Sequence, residues 1–153
     1  MTDLPRPRGR YFEEFEIGDA FETPSRTITE SDVMLFAGLS GDYNQLHTDA
    51  EFAKEAMFGE RIAHGLLVLS IATGLVARLG FIEGTVQAFT GLEWKFRAPV
   101  KFGDTIRARL EVKGKKEMRR VGGGFVILKV TILNQRDEMV QKGDWKALIK
   151  SAS

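Results

Sequence analysis

Ala63–Leu79, AHGLLVLSIATGLVARL, is the stretch that decides the fold. Its period and length predict a helix, interrupted on its polar side only by His64, Ser70, Thr73 and Arg78, with Gly80 placed to stop it. A helix apolar on nearly every side is one surrounded by protein rather than lying on a surface. The polar interruptions leave it short of a membrane span.

Beyond the helix the period changes from that of a helix to that of a strand. Leu92, Trp94 and Phe96 alternate with Glu93, Lys95 and Arg97, and Ile106, Ala108, Leu110 and Val112 alternate with Arg107, Arg109, Glu111 and Lys113. The run KGKKEMRRVGGG then reads as a long hairpin loop before FVILKVTIL. Asn134 to Asp137 makes a turn into a last strand containing Met139, Trp145, Leu148 and Ile149. One buried helix followed by consecutive strands implies an α+β domain with an antiparallel sheet curled around the helix, because a helix apolar all round needs cover all round. Periodicity leaves the strand order open.

Upstream, Tyr11 to Ile17 is aromatic and acidic, and Ala20 to Ile28 is extended. Thr29 or Ser31 can cap a short helix through Val33, Met34, Phe36 and Ala37, stopped at Gly38. Ser40 to Thr48 reads as a loop. Asp49 caps a second short helix through Phe52, Ala53 and Ala56 that ends near Gly59. Residues 1–10 form a flexible arm with no apolar run behind it, unlike a secretory signal, and residues 11–153 form a single domain.

Composition narrows the function classes. The 22 basic and 21 acidic residues nearly cancel, so no global field draws the chain to nucleic acid or to an anionic membrane. There are no cysteines, which excludes disulfides and thiolate catalysis and is compatible with a reducing cytoplasm. With 43% hydrophobic and 28% charged residues, the 153-residue chain has the profile of an ordinary globular domain.

Histidine is scarce: only His47 and His64 are present. Asp42 stands five residues before His47, a spacing that converges neither on a helix nor on a strand, but Gly41 and Asn44 permit an irregular loop in which it can. A carboxylate beside an imidazole can hold one water and move protons near neutral pH. Asp42 and Asn44 serve equally well to cap the turn. His64 and Gly65 stand where the buried helix begins, and a glycine there leaves its N–H open to a ligand oxygen in the positive field of the helix terminus. Close helix packing is the alternative reason for that glycine.

SGDYNQLHTDAEFA, RIAHGLL and FRAPVKFGDTI together resemble the MaoC-like family of (R)-specific enoyl-CoA hydratases, over the chain from about Tyr11 onward. The resemblance implies a hot-dog fold, a homodimer or dimer of dimers, and hydration of a 2-enoyl-thioester in fatty acid metabolism. By that resemblance Asp42 and His47 are the catalytic pair and Gly65 is the donor to the thioester carbonyl. Asn44 braces the loop, while His64 and Thr73 lie near the substrate. Gln45 departs from the family's usual proline, which restores a backbone donor and loosens the loop. No metal or redox cofactor is implied; CoA or an acyl-carrier protein only carries the substrate.

Two rivals remain: a thioesterase, in which the water attacks the carbonyl, and a non-catalytic acyl-thioester-binding module. Other features have plainer readings. Gly122-Gly123-Gly124 lacks the ending of a phosphate loop and reads as a hairpin turn. Lys113, Lys115, Lys116, Arg119 and Arg120 read as a solvated loop, with CoA phosphates as the alternative contact. Trp94, Phe96 and Phe125 read as core, with a ligand platform as the alternative.

Overall fold

The computed structural model describes residues 6–152. Its strands are β1 (Ala20–Glu22), β2 (Arg26–Thr27), β3 (Val86–Phe96), β4 (Thr105–Met118), β5 (Gly123–Leu133) and β6 (Met139–Lys150). They form an antiparallel sheet in the order β1-β4-β5-β6-β3, with β2 also paired to β4. The helices are α1 (Glu30–Ser40), α2 (Gln45–Thr48), α3 (Ala50–Lys54) and α4 (Gly65–Arg78). Sheet and helix meet as expected of a hot-dog fold: Leu67, Val68, Ile71, Ala72, Leu75 and Val76 of α4 share one core with Ile106, Ala108, Leu110 and Val112 of β4 and Val126, Leu128, Val130 and Ile132 of β5. Each of the leucine, isoleucine and valine side chains among them contributes about 1.5–3 kcal/mol when fully buried.

The long helix is not covered all round in the single chain. Leu66 is 59% exposed, and Thr73, Gly74 and Ala77 are also exposed. The strand expected to bury Leu92, Trp94 and Phe96 is an edge strand, so Leu92 and Phe96 are exposed and Trp94 is half-buried. Phe125 is half-buried too, with the Lys146 ammonium 4.1 Å from its ring centre. The core reading of these three aromatics is corrected accordingly: alternation finds one face of a strand, but only the neighbours decide whether that face is covered.

The expected long loop after Val112 is largely strand. β4 continues to Met118 through a register shift between Val112 and Gly114, and only Arg119–Gly122 turn the chain. Lys115 is therefore no loop residue; its ammonium donates to the Phe15 carbonyl at 2.6 Å and lies over Phe12. Lys113 pairs with Asp144 across the sheet. Of the three glycines, Gly122 makes the turn with φ 67°, whereas Gly123 and Gly124 belong to β5. A Cβ on Gly124 would run into the Phe12 ring, which is why no side chain fits there.

Helix boundaries shift in the same way. Thr29 caps α1 through a reciprocal bond with Asp32, and the helix passes Gly38 to end at Gly41, φ 79°. Asp49 caps α3 through the Phe52 amide, but α3 stops at Lys54. Of the flexible arm expected over residues 1–10, residues 1–5 lie outside the described residues. Residues 6–10 are tied down: the Gly9 and Arg10 amides donate to the Glu83 and Phe81 carbonyls at 2.8 and 2.7 Å. Among the described residues no helix is long and apolar enough to cross a membrane.

Candidate active site

The segment from Ser40 to Thr48 is shaped by its own short polar side chains. The Ser40 hydroxyl donates to the Phe36 carbonyl and accepts the Asp42 amide, the Asp42 carboxylate accepts the Asn44 amide at 3.1 Å, and the Asn44 side chain accepts the Leu46 amide at 3.0 Å. Asn44 thereby caps α2, a single turn that the sequence reading had as loop. This turn swings His47 back toward Asp42. Capping and convergence, offered by the sequence as alternatives, are both realised.

His47 is 8% exposed and His64 3%. The His47 Nδ1 stands 2.7 Å from the Ile62 carbonyl, and because a carbonyl only accepts, the proton lies on Nδ1. In the neutral ring the lone pair is then on Nε2, ready to take a proton. His64 has the opposite tautomer: its Nε2–H donates to the Asp42 carbonyl at 2.9 Å, and its buried Nδ1 has no partner. The two rings stack with centroids 3.8 Å apart, and Phe36 meets His64 edge-on.

Polar side-chain atoms of Asp42, His47 and His64 lie within 4.8 Å of one another. Within the structure the carboxylate makes no direct bond to His47, and a gap of this size accommodates one bridging water. The same trio has the residue types of a metal site, but stacked imidazoles hold their lone pairs in nearly parallel planes, a poor arrangement for converging on one ion. Water and proton handling suits the geometry better.

Gly65 is the first residue of α4, after His64. The Val68 amide donates to the His64 carbonyl, so the amides of Gly65, Leu66 and Leu67 precede the first intrahelical bond. Gly65 borders a cavity of about 400 Å³ walled by Ile62, Val68, Phe96 and Gln141 among others. Asp42 and His47 do not line this cavity. His64 joins the two regions, adjacent to Gly65 in the chain and bonded to Asp42 in space. Thr73 lies apart from both: it is exposed, and its hydroxyl donates to the Ser70 carbonyl at 2.6 Å, the local bond a helical threonine commonly makes.

Two residues at the cavity were missed by the sequence reading. Phe96 covers Gly65 so closely that a Cβ there would stand 2.7 Å from its ring. Gln141 is 2% exposed and bonded to the Gly65 carbonyl. A signal for Gln141 existed: it shares the inward phase of Trp145, Ala147 and Ile149 on the last strand, where a polar residue is out of place.

A curved antiparallel sheet packed on one long helix defines the hot-dog fold class. The MaoC like domain matches residues 13–131, and the chain belongs to that family. It is 46% identical over 113 residues to the MaoC protein of Klebsiella aerogenes, 74% of this chain but only 33% of that protein's length. It is 36% identical over 104 residues to an (R)-specific enoyl-CoA hydratase of Rhodospirillum rubrum, 68% of this chain and 70% of that one. Among solved structures, a protein from Archaeoglobus described as a monoamine oxidase regulatory protein superposes with a TM-score of 0.89 at 41% identity, covering 95% of this chain and 97% of that one.

Proposed function

We propose that the protein reversibly hydrates a 2-enoyl-CoA, or a related enoyl-thioester, to the 3-hydroxyacyl-thioester. The observation that carries this reading is the bond between His47 Nδ1 and the Ile62 carbonyl, which leaves Nε2 as the free base of a ring that has a nitrogen within 4.8 Å of the Asp42 carboxylate. The thioester carbonyl accepts the Gly65 N–H at the helix amino end, where negative charge is favoured. Asp42 and His47 hold one water between them. As the water oxygen bonds to the β-carbon, the pair takes one of its protons and the electrons of the double bond move toward the carbonyl. The pair then returns a proton to the α-carbon, so the enzyme ends unchanged. Asn44 braces the loop. No metal or redox cofactor takes part in this scheme, and CoA or an acyl-carrier protein is only the substrate's handle.

The hydratase name of the Rhodospirillum relative supports the reading. The regulatory description of the Archaeoglobus structure favours a second one, a module that binds an acyl-thioester without turning it over. One experiment separates these and the thioesterase. A panel of enoyl-CoAs is incubated with the protein while absorbance of the conjugated thioester and release of free thiol are followed. Loss of conjugation without thiol supports hydration; thiol release supports the thioesterase. Tight binding of a saturated acyl-CoA with no turnover supports the module.

Val86, Phe89, Leu92 and Phe96 leave the outer strand β3 apolar and exposed, and an unpaired apolar edge is a liability in a free monomer. We therefore propose a homodimer, alone or as a dimer of dimers, closed along this edge. A cytoplasmic setting is consistent with the cysteine-free sequence.

A further inference from the structure

We infer that Gln141 is a positioning residue for the first turn of α4, acting through the peptide unit that joins Gly65 to Leu66. The inference rests on the reading of that turn as the carbonyl site. Gln141 lies on β6, buried, between the helix amino end and the edge strand β3. Its Oε1 accepts the Trp94 indole N–H at 2.9 Å, and its Nε2 donates to the Gly65 carbonyl at 3.0 Å. The indole can only donate, so Trp94 sets which end of the amide faces it and leaves the NH₂ end for Gly65.

The bond is not needed to satisfy the helix, since the carbonyl at the first helical position already has the amide four residues on. A buried primary amide costs free energy unless both ends are paired, and an apolar residue of similar length would fill the position without that cost. What the amide supplies is orientation. Gly65 has no side chain by which the surrounding protein can grip it, and glycine is the residue whose backbone is least restricted. Holding its carbonyl from the sheet restricts ψ at Gly65 and so anchors the residue whose N–H is read as the donor to the thioester. Trp94, Gln141 and Gly65 thus form a chain of hydrogen bonds from the edge strand to the helix terminus.

The test compares the full-length parent with Gln141→Met, which keeps length and apolar packing but removes both bonds. In ¹⁵N-labelled protein, butyryl-CoA, a saturated thioester that cannot be hydrated, should move the Gly65 amide proton downfield in the parent. In Gln141→Met that response should disappear. With crotonyl-CoA the variant should lose about 10²-fold in kcat, the penalty of a slightly misplaced group, with KM held within about threefold and the shape of the pH profile unchanged. If Gln141→Met does not fold, Trp94→Phe releases the amide without altering β6 and carries the same measurements. An undiminished amide response, or a kcat within about threefold of an active parent, overturns the proposal. A parent with no turnover, but whose amide response vanishes in the variant, supports the role of Gln141 and overturns the hydratase reading instead.

Discussion

His47 and His64 lie face to face, ring centroids 3.8 Å apart and planes 25° apart, and each is locked to a backbone carbonyl of the other's segment. His47 donates to Ile62, two residues before His64, and His64 donates to Asp42, five residues before His47. The crossed bonds stitch the Asp42 turn to the start of the central helix. They fix which nitrogen of each ring faces a carbonyl, without a carboxylate partner.

His64→Phe should preserve the aromatic contact with His47 and Phe36 while deleting the bond to Asp42. The expected loss of stability is about 1 kcal/mol, that of one ordinary hydrogen bond. Hydration should fall more than stability implies, and amide exchange at Asp42 to Asn44 should speed up. Unchanged exchange and turnover would show that the stitch has no role in holding the carboxylate.

Gly65→Val should abolish most turnover with the fold largely retained. The first atom of the new side chain meets the Phe96 ring at 2.7 Å, so the ring must shift to admit it. The displaced ring and the valine methyls then crowd the cavity where the carbonyl is proposed to bind. Near-parental activity in a folded variant would place the carbonyl donor elsewhere.

Phe89→Lys combined with Leu92→Lys should turn a dimer into a monomer, because two charges on the apolar edge of β3 oppose its pairing with a second copy. Sedimentation at micromolar concentration is the measurement. A parent protein that is already monomeric and fully active would sink the proposed assembly.

Asp42→Asn and His47→Ala should each slow hydration by about 10²- to 10⁴-fold, the range for positioned acid–base groups. Combined, they should cost much less than the product of the two, since both act on one water. Circular dichroism must show the variants folded, because Asp42 also caps its own turn through the Asn44 amide. Two single variants near the parental rate would favour the acyl-binding module.

Much of the architecture follows from local patterns. Ile106 to Val112 alternate in the sequence and are buried in alternation, Asn134 caps its turn by accepting the Arg136 and Glu138 amides, and α4 begins and ends within two residues of its predicted limits. These features depend on period, capping and turn chemistry, each confined to a few neighbouring residues. Where the outcome depended on distant partners, local reading failed. KGKKEM has the composition of a loop but is held as strand by β5, and Phe96 has the phase of a buried residue but lies on an edge.

The same division runs through the site. The sequence by itself determined that Asp42 and Asn44 stand in a turn of capping residues just before His47 and that His64 and Gly65 open a largely apolar helix, because capping side chains and apolar period act locally. Only the tertiary structure decided that the two histidines stack, which nitrogen of each donates, and that Gln141, 76 residues from Gly65, holds its carbonyl. Hydrogen-bond partners across such separations are set by how sheet and helix pack, and packing depends on the whole chain at once.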